Sequence, residues 1–326
     1  MEKFSQFRDR GSGVAPFTPI STPSTTLTSL LHIAIFLFRL PFFLFFSILY
    51  FTTLHHLPFL PPALRKLLLW GLMAIPGIWW IDLQLDGVKR GALSSAPRSR
   101  VPYPGSVIAA SYTSPLDVLY LAAVFDPVFT VSYAGSRKVR RVGLLGALWH
   151  VFSAPPKELP TGGSRLTDLA ELIKANPDRV IAVFPEGGTT NGRGVLPLTP
   201  SLASVPGNKR IFPVSMRYTP PDITTPVPGV GGLVGFLWKL LSRPTHCIRV
   251  RIAEGVYNTA GATTNGVYKA GGGEEEEGSG EVSFQEQKVL DKVAEDLARL
   301  GRSKRVGLTL RDKSAFVEAW RRKGKK

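Results

Sequence analysis

Arg179-Val180-Ile181-Ala182-Val183-Phe184-Pro185-Glu186-Gly187-Gly188-Thr189-Thr190-Asn191-Gly192-Arg193 is the stretch on which the reading of the fold turns. Arg179 to Phe184 is a short apolar run, rich in β-branched residues and bounded by Pro177 and Pro185, which predicts a buried strand. The loop after it therefore lies at a strand's C-terminal end. Ligands of α/β proteins collect at that edge, and glycines there let backbone N–H groups approach phosphate oxygens without a Cβ in the way. No Gly-Lys-Ser/Thr follows, which argues against a nucleotide phosphate loop.

Upstream, Val107-Ile108-Ala109-Ala110 predicts a second strand and runs into Ser111-Tyr112-Thr113-Ser114-Pro115-Leu116-Asp117. Ser114 and Pro115 suit a helix N-cap and first helical position, which puts Asp117 in the first turn, where a carboxylate is favourable. The two segments together, Ser-Pro-Leu-Asp and then Phe-Pro-Glu-Gly with Thr-Thr-Asn-Gly-Arg, resemble the two main motifs of the phospholipid/glycerol acyltransferase superfamily.

That resemblance implies transfer of an acyl group from acyl-CoA to a glycerol hydroxyl, with acyl-CoA a co-substrate and no cofactor or metal. It implies Asp117 and Tyr112 at the acyl-transfer centre, and Ser114, Glu186, Gly187, Thr189, Arg193 and Pro213 on the substrate. The superfamily's general base is a His five positions before the Asp. Here Tyr112 stands in its place, and none of His32, His55, His56, His150 and His246 precedes an Asp by that spacing. Tyrosine, with a reference pKa of about 10, is a poor base at neutral pH. Three readings stay open: a histidine from elsewhere, His150 or His246, enters the site; Tyr112 and Asp117 act by positioning alone; or the site binds lipid without turning it over.

Other departures are visible in the same comparison. Phe152 stands where the second motif carries an Arg, and Thr189 where many relatives have an Arg three residues after the Glu. Arg193 is the candidate replacement, able to hold a phosphate bidentately. Arg210-Ile211-Phe212-Pro213-Val214-Ser215 resembles the strand whose Pro lines the acyl pocket; by pattern alone it is an edge strand with a proline.

Of 326 residues, 44% are hydrophobic, enough for one sizeable domain and a membrane segment. Residues 1–26 are polar and read as a tail, without the short apolar core of a cleaved signal peptide. Residues 27–57 carry Arg39 as their only formal charge and seven phenylalanines. A second apolar run, Leu67 to Ile81, closes on Trp79-Trp80, with a prolyl bend between the two. Basic residues flank the pair on both outer sides, so residues 27–82 predict a membrane hairpin, spanning or re-entrant, with both flanks cytosolic. Arg39 sits uneasily in a single span, since a mid-membrane charge costs at least about 2.5 kcal/mol.

From residue 83 to 257 the pattern alternates strand and helix. Strands are expected at Val128–Tyr133 and Cys247–Ile252, and helices at 137–152 and 164–175. The fold class is α/β, a mixed sheet flanked by helices. Residues 258–281, with Gly271-Gly272-Gly273 and four consecutive glutamates, read as a disordered insertion. Ser283 and Glu286 form a capping box that opens the helical, basic region 282–326. Residues 302–326 hold ten Lys/Arg against two Asp/Glu, half of the chain's formal charge of +16, with Phe316, Val317 and Trp320 on one helical face. Such a tail suits an anionic membrane surface. Nucleic acid is the competing partner for a basic chain, but no helix-turn-helix, zinc ligand set or RNA-binding aromatic signature accompanies the charge, and none is expected as ligand. The single cysteine excludes an internal disulfide.

The opening Met1-Glu2-Lys3-Phe4, with Arg8-Asp9, Gly11, Gly13 and Ala15-Pro16-Phe17, narrows the resemblance to a fungal branch that lacks the histidine. That branch implies acylation of lysophosphatidate by oleoyl-CoA at the endoplasmic reticulum and lipid droplets, feeding triacylglycerol synthesis. A lipid-binding protein of the same fold, without turnover, is the alternative.

Overall fold

The computed structural model describes residues 2–23, 25–54, 57, 60–89, 91–93, 97–155, 165–259 and 282–323. Helix α1 (Thr26–Thr52) and helix α2 (Pro62–Ala74) lead into strand β1 (Ile78–Leu85). Then come β2 (Val107–Ala110), α3 (Pro115–Phe125), β3 (Val128–Ser132), β4 (Val139–Val142), α4 (Leu144–Val151), β5 (Leu166–Thr167) and α5 (Leu169–Ala175). The chain continues through β6 (Ile181–Val183), β7 (Gly194–Val195), β8 (Arg210–Thr219), α6 (Val230–Ser242), β9 (His246–Ile252) and β10 (Val256–Tyr257). It ends with α7 (Phe284–Gly301), β11 (Lys304–Arg305) and α8 (Leu310–Lys323).

The main sheet has the order β1-β9-β8-β2-β6-β3-β4-β5, with β10 joined to β8. Its centre, β8-β2-β6-β3, is parallel, and antiparallel pairs border it at β8–β9 and β3–β4. Buried apolar residues of β2 and β6 face both ways, as a sheet covered on both sides requires. One layer of core joins the sheet to α2, α3, α4 and α6; the other joins it to α5 and α7. The mixed α/β architecture is the one expected, and the alternation in β9 is as read, with Ile248, Val250 and Ile252 inside.

Several elements differ from the sequence reading. The second apolar run is split. Pro62 starts α2, but Pro76-Gly77, with Gly77 at φ +85°, ends the helical path, and the aromatic and β-branched run Ile78–Ile81 joins β9 as a strand. Helix α2 has 13 residues, about 20 Å, too short to cross a bilayer. The second arm of a spanning hairpin is thus not a helix of spanning length, and most of the prolyl bend lies outside the described residues. Residues 137–152 are not one helix: Val139–Val142 pairs with β3, and Gly143 separates that strand from α4. Leu166 belongs to β5, so the next helix starts only at Leu169. Pro213 lies in the central strand β8, not an edge, where the β9 ladder ends: Ala253 donates to its carbonyl, and the proline has no N–H to return the bond. The 258–281 insertion falls almost wholly outside the described residues.

Helix α1, 27 residues and about 40 Å long, is long and apolar enough to cross a membrane. Leu30, Leu37, Phe38 and Phe45 are exposed along it. Its other side is attached to the domain: Tyr50 is buried, and Phe43 and Phe51 pack against the core. Arg39 donates to the carbonyl oxygens of Pro76, Arg243 and Pro244, which gives the charge partners within the protein.

The expected polar tail is folded. Residues 2–7 form a 3-10 turn, and Phe7 and Phe17 are buried with Phe316 and Val317 of α8 in a third small core. Helix α8 therefore turns its apolar face onto the chain's own N-terminus and not onto lipid; Arg311, Arg321 and Arg322 remain outward.

Candidate active site

Strands β2, β3 and β6 end side by side, so their following residues converge. After β2, Ser114 caps α3 with its side chain, and Asp117, at the third helical position, returns the bond in a capping box. The Asp117 carboxylate is fully buried and fully used. Its Oδ2 accepts from the Thr113 N–H (2.6 Å), the Ser114 N–H (2.9 Å) and the Thr113 hydroxyl (3.1 Å). Its Oδ1 accepts from the Tyr218 hydroxyl, at the far end of β8. Burial raises its pKa to about 6 against the lowering effect of these donors. Ser114 Oγ donates to the Ile223 carbonyl (3.0 Å), which fixes the loop beyond β8 to the start of α3.

Tyr112 is buried and its ring stacks on Phe184 at 4.4 Å between centroids. Desolvation, with the Asp117 charge nearby, holds its phenol well above the ordinary range, so it is a donor and not a base. Its backbone ties the two motifs together: the Tyr112 N–H donates to Glu186 Oε1 (3.4 Å), and the Tyr112 carbonyl accepts from the Thr190 N–H (2.9 Å). Glu186, also buried, accepts from the Leu196 N–H (3.1 Å) through Oε2. Burial raises its carboxyl to about 7. Gly187 makes the turn at φ +65°, a conformation a side chain disfavours by roughly 1–2 kcal/mol.

Lys313, absent from the sequence-derived set, and His150, one of the two histidines considered there, meet this group. Lys313 of α8 is buried, and its Nζ donates to Thr189 Oγ1 (2.8 Å) while lying within electrostatic reach of Glu186. Leu310 and Lys313 sit on the glycine loop: a Cβ at Gly188 would meet Leu310 Cδ2 at 2.8 Å and Lys313 Nζ at 3.2 Å. His150, near the end of α4, lines a cavity of about 10 Å³ with Tyr112, Ser132, Phe184 and Gly187, room for about one water. Burial, helped by the Arg140 and Lys313 charges, lowers His150 to about 4, so its imidazole is neutral at physiological pH. The N-terminal segment closes the far side, where Asn191 donates through Nδ2 to the carbonyls of Ala15 and Thr18.

The structure thus brings Tyr112, Ser114, Asp117, Glu186, Gly187 and Thr189 together. Arg193 is exposed on the loop's rim, with no side-chain hydrogen bond among the described residues. Pro213, alternating with Phe212 and Val214, belongs to the sheet face opposite Tyr218. His246 is remote, its Nε2 bonded to the Leu240 carbonyl. A signal for Lys313 existed: it falls on the same helical stripe as Leu310, Val317 and Trp320, and a charge on an apolar stripe needs a buried partner. Nothing in the sequence aims His150 at Tyr112.

Glu186 and Lys313 give opposite pH signatures. Glu186 holds its proton up to about 7 when folded but loses it near the ordinary 4.5 when unfolded, so its contribution to stability falls as pH rises between those values. Lys313 is held down to about 7 against 10.5, so its contribution rises with pH between 7 and 10.5. Melting temperatures measured from pH 5 to 10 are expected to lose the rising upper limb in Lys313→Met and the falling lower limb in Glu186→Gln. Parallel curves for wild type and both variants would contradict the buried pair.

Residues 95–217 match the family model described as Acyltransferase, a span that holds both motifs. The chain is 28% identical, over 326 residues and 98% of each chain, to a protein of Schizosaccharomyces pombe with the provisional name lysophosphatidic acid:oleoyl-CoA acyltransferase. It is 25% identical over 235 residues, 71% of this chain and 68% of the relative, to lysophosphatidic acid:oleoyl-CoA acyltransferase 1 of Saccharomyces cerevisiae. Residues 95–217 are therefore similar to an acyltransferase domain, and the chain is related at low-to-moderate identity to these two fungal proteins.

Proposed function

We propose that this protein transfers an acyl group from acyl-CoA, oleoyl-CoA foremost, to lysophosphatidate, giving phosphatidate for triacylglycerol and phospholipid synthesis at the endoplasmic reticulum and lipid droplets. The observation that carries this reading is the meeting of Asp117 and Glu186, from separate segments, around Tyr112 at the end of the parallel strands, with His150 on the same cavity. Buried ionisable groups with displaced pKa values, gathered in one cleft, are the pattern of a functional site.

In this reading His150 takes the proton of the lysolipid hydroxyl as its oxygen attacks the thioester carbonyl. The C–S bond then breaks, and the leaving thiolate receives that proton from the imidazolium. Tyr112 and Asp117 stand at the transfer centre: Tyr112 packs against the reacting groups, and Asp117, with Ser114, holds the start of α3 and Tyr218 in place. The phosphate end lies on the Gly187–Gly188 loop with Thr189 and Lys313, and Arg193 reaches it from the rim. Glu186 braces that loop.

Purified protein with labelled oleoyl-CoA and lysophosphatidate tests this directly. Wild type is expected to turn over, and Asp117→Ala and Glu186→Ala to lose about 10²-fold or more, with Asp117→Asn and Glu186→Gln controlling for folding. Equal turnover in all would overturn the catalytic reading. The second reading, a lipid-binding protein without turnover, is favoured by the tight seating of Leu310 and Lys313 on the loop and the small cavity beneath. Lysolipid binding with no turnover in wild type would select it.

The membrane lies, in the same proposal, against the exposed face of α1, continued by Leu67 of α2, Trp149 of α4 and Val234 of α6. With the N-terminal segment and α8 packed together, tags on both ends are expected to be protease-accessible from the cytosolic side of sealed microsomes. Opposite sidedness would refute the arrangement.

A further inference from the structure

A second, larger cavity of about 750 Å³ lies beside β4 and the edge strand β5, away from the glycine loop, a size typical of small-molecule sites. Its walls carry Arg65, Lys66, Arg140, Arg141, Arg165 and Arg179 against one carboxylate, Asp126. Two of these cations are already committed: Arg179 pairs with Asp126 (3.1 Å), and Lys66 donates to the Val124 carbonyl (2.8 Å). The others are open to a ligand. The Nε atoms of Arg65 and Arg140 are buried and have no hydrogen-bond partner among the described residues. Both side chains line the cavity without a carboxylate partner of their own among those residues, and a guanidinium so placed favours an anion beside it.

The backbone adds to the same demand. Gly143 and Leu144, at the N-terminus of α4, line the cavity, and Gly143 brings no side-chain cap to the helix's first N–H groups. An uncapped helix start beside Arg140 and Arg141 is a phosphate cradle. Leu69 and Phe129 supply an apolar floor. Helix α4 then runs from this cavity to His150, about 10 Å along its axis.

We propose that this cavity binds the phosphates of the acyl donor's nucleotide end, the diphosphate and ribose phosphate of coenzyme A, with the pantetheine arm following α4 to His150. The assignment of donor rests on the acyl-transfer reading above. A multiply charged nucleotide matches four open cations, a volume of about 750 Å³ and an apolar floor better than the single phosphate of a lipid headgroup does. The cavity is therefore a donor site separate from the lysolipid loop.

The test is titration calorimetry of the full chain in detergent with coenzyme A and, separately, adenosine 3′,5′-bisphosphate, beside transfer kinetics. Arg140→Gln is expected to weaken coenzyme A about tenfold or more. Arg141→Gln/Arg165→Gln, which alters only exposed side chains, is expected to weaken it in the same direction and to raise KM for acyl-CoA while leaving KM for lysophosphatidate unchanged. Unchanged coenzyme A affinity in both variants overturns the proposal, as does weakened binding to phosphatidate vesicles with coenzyme A affinity intact, which would make the cavity a lipid-headgroup site. Binding needs no turnover, so the two readings part cleanly. Coenzyme A bound here by a protein that transfers nothing sinks only the catalytic reading, and turnover with both variants at wild-type KM sinks only this one.

Discussion

His150→Asn is expected to lower kcat by about 10²–10⁴-fold with the fold intact, the range lost when a positioned general base is removed. The residue is half-buried near the end of α4, so a shorter polar side chain leaves the core layer of Leu144, Ala147 and Val151 undisturbed. Of the described histidines, only His150 lines the cavity that also holds Tyr112, and Tyr112 itself is pushed too far up to accept a proton. The pH dependence gives a second readout. Because burial lowers His150 to about 4, its base form is present above that value and lost below it, so an NMR titration of the ring is expected to have a midpoint near 4 and not near 6.5. Any loss of activity on acidification from pH 7 to 5 is then expected to follow Asp117 and Glu186, which titrate higher. Wild-type turnover in His150→Asn would remove the histidine from the chemistry.

Phe316→Ala is expected to have the largest structural effect, about 3–5 kcal/mol, confined to one unit of the molecule. Phe316 is fully buried and its ring meets Phe4, Phe7, Phe17 and Trp320 at 5.3–5.9 Å. This cluster is separate from the two layers that cover the main sheet. Its loss releases the N-terminal segment and α8 while the sheet stays folded. Amide protection across residues 2–18 and 310–323 is expected to fall about a hundredfold or more, with little change in β2, β6 and β8. Uniform loss across the whole domain would show that the clasp and the sheet fold as one unit. With α8 detached, Leu310 and Lys313 leave the glycine loop, so the variant also tests whether that contact holds the site closed.

The elements legible in the sequence are those whose causes are local. The strand before Pro185, the capped start of α3 and the Ser283–Glu286 box depend on neighbours within four positions, and all three are present. The alternation of β9 is equally local. The elements that differ are those a distant partner decides. Ile78–Ile81 closes the apolar run read as the second membrane arm, yet β9 recruits it into the sheet from far along the chain. Val139–Val142 looks like the start of a basic helix until β3 pairs with it. The site divides the same way: Asp117 and Glu186 sit within recognisable motifs, whereas Lys313 reaches Thr189 across 124 positions and His150 arrives on a separate helix.

The packing of residues 2–17 against α8 sets an order of events during synthesis. Helix α1 leaves the ribosome early and can reach lipid while most of the domain is still unmade. The loop at Gly187 follows, but it stays bare until α8 emerges, because Lys313 lies 124 positions after Thr189. A nascent chain that stops short of α8 thus has both motifs in place and no buried lysine over them. Completion of the site waits on α8, so a truncation that removes this helix removes a part of the site itself.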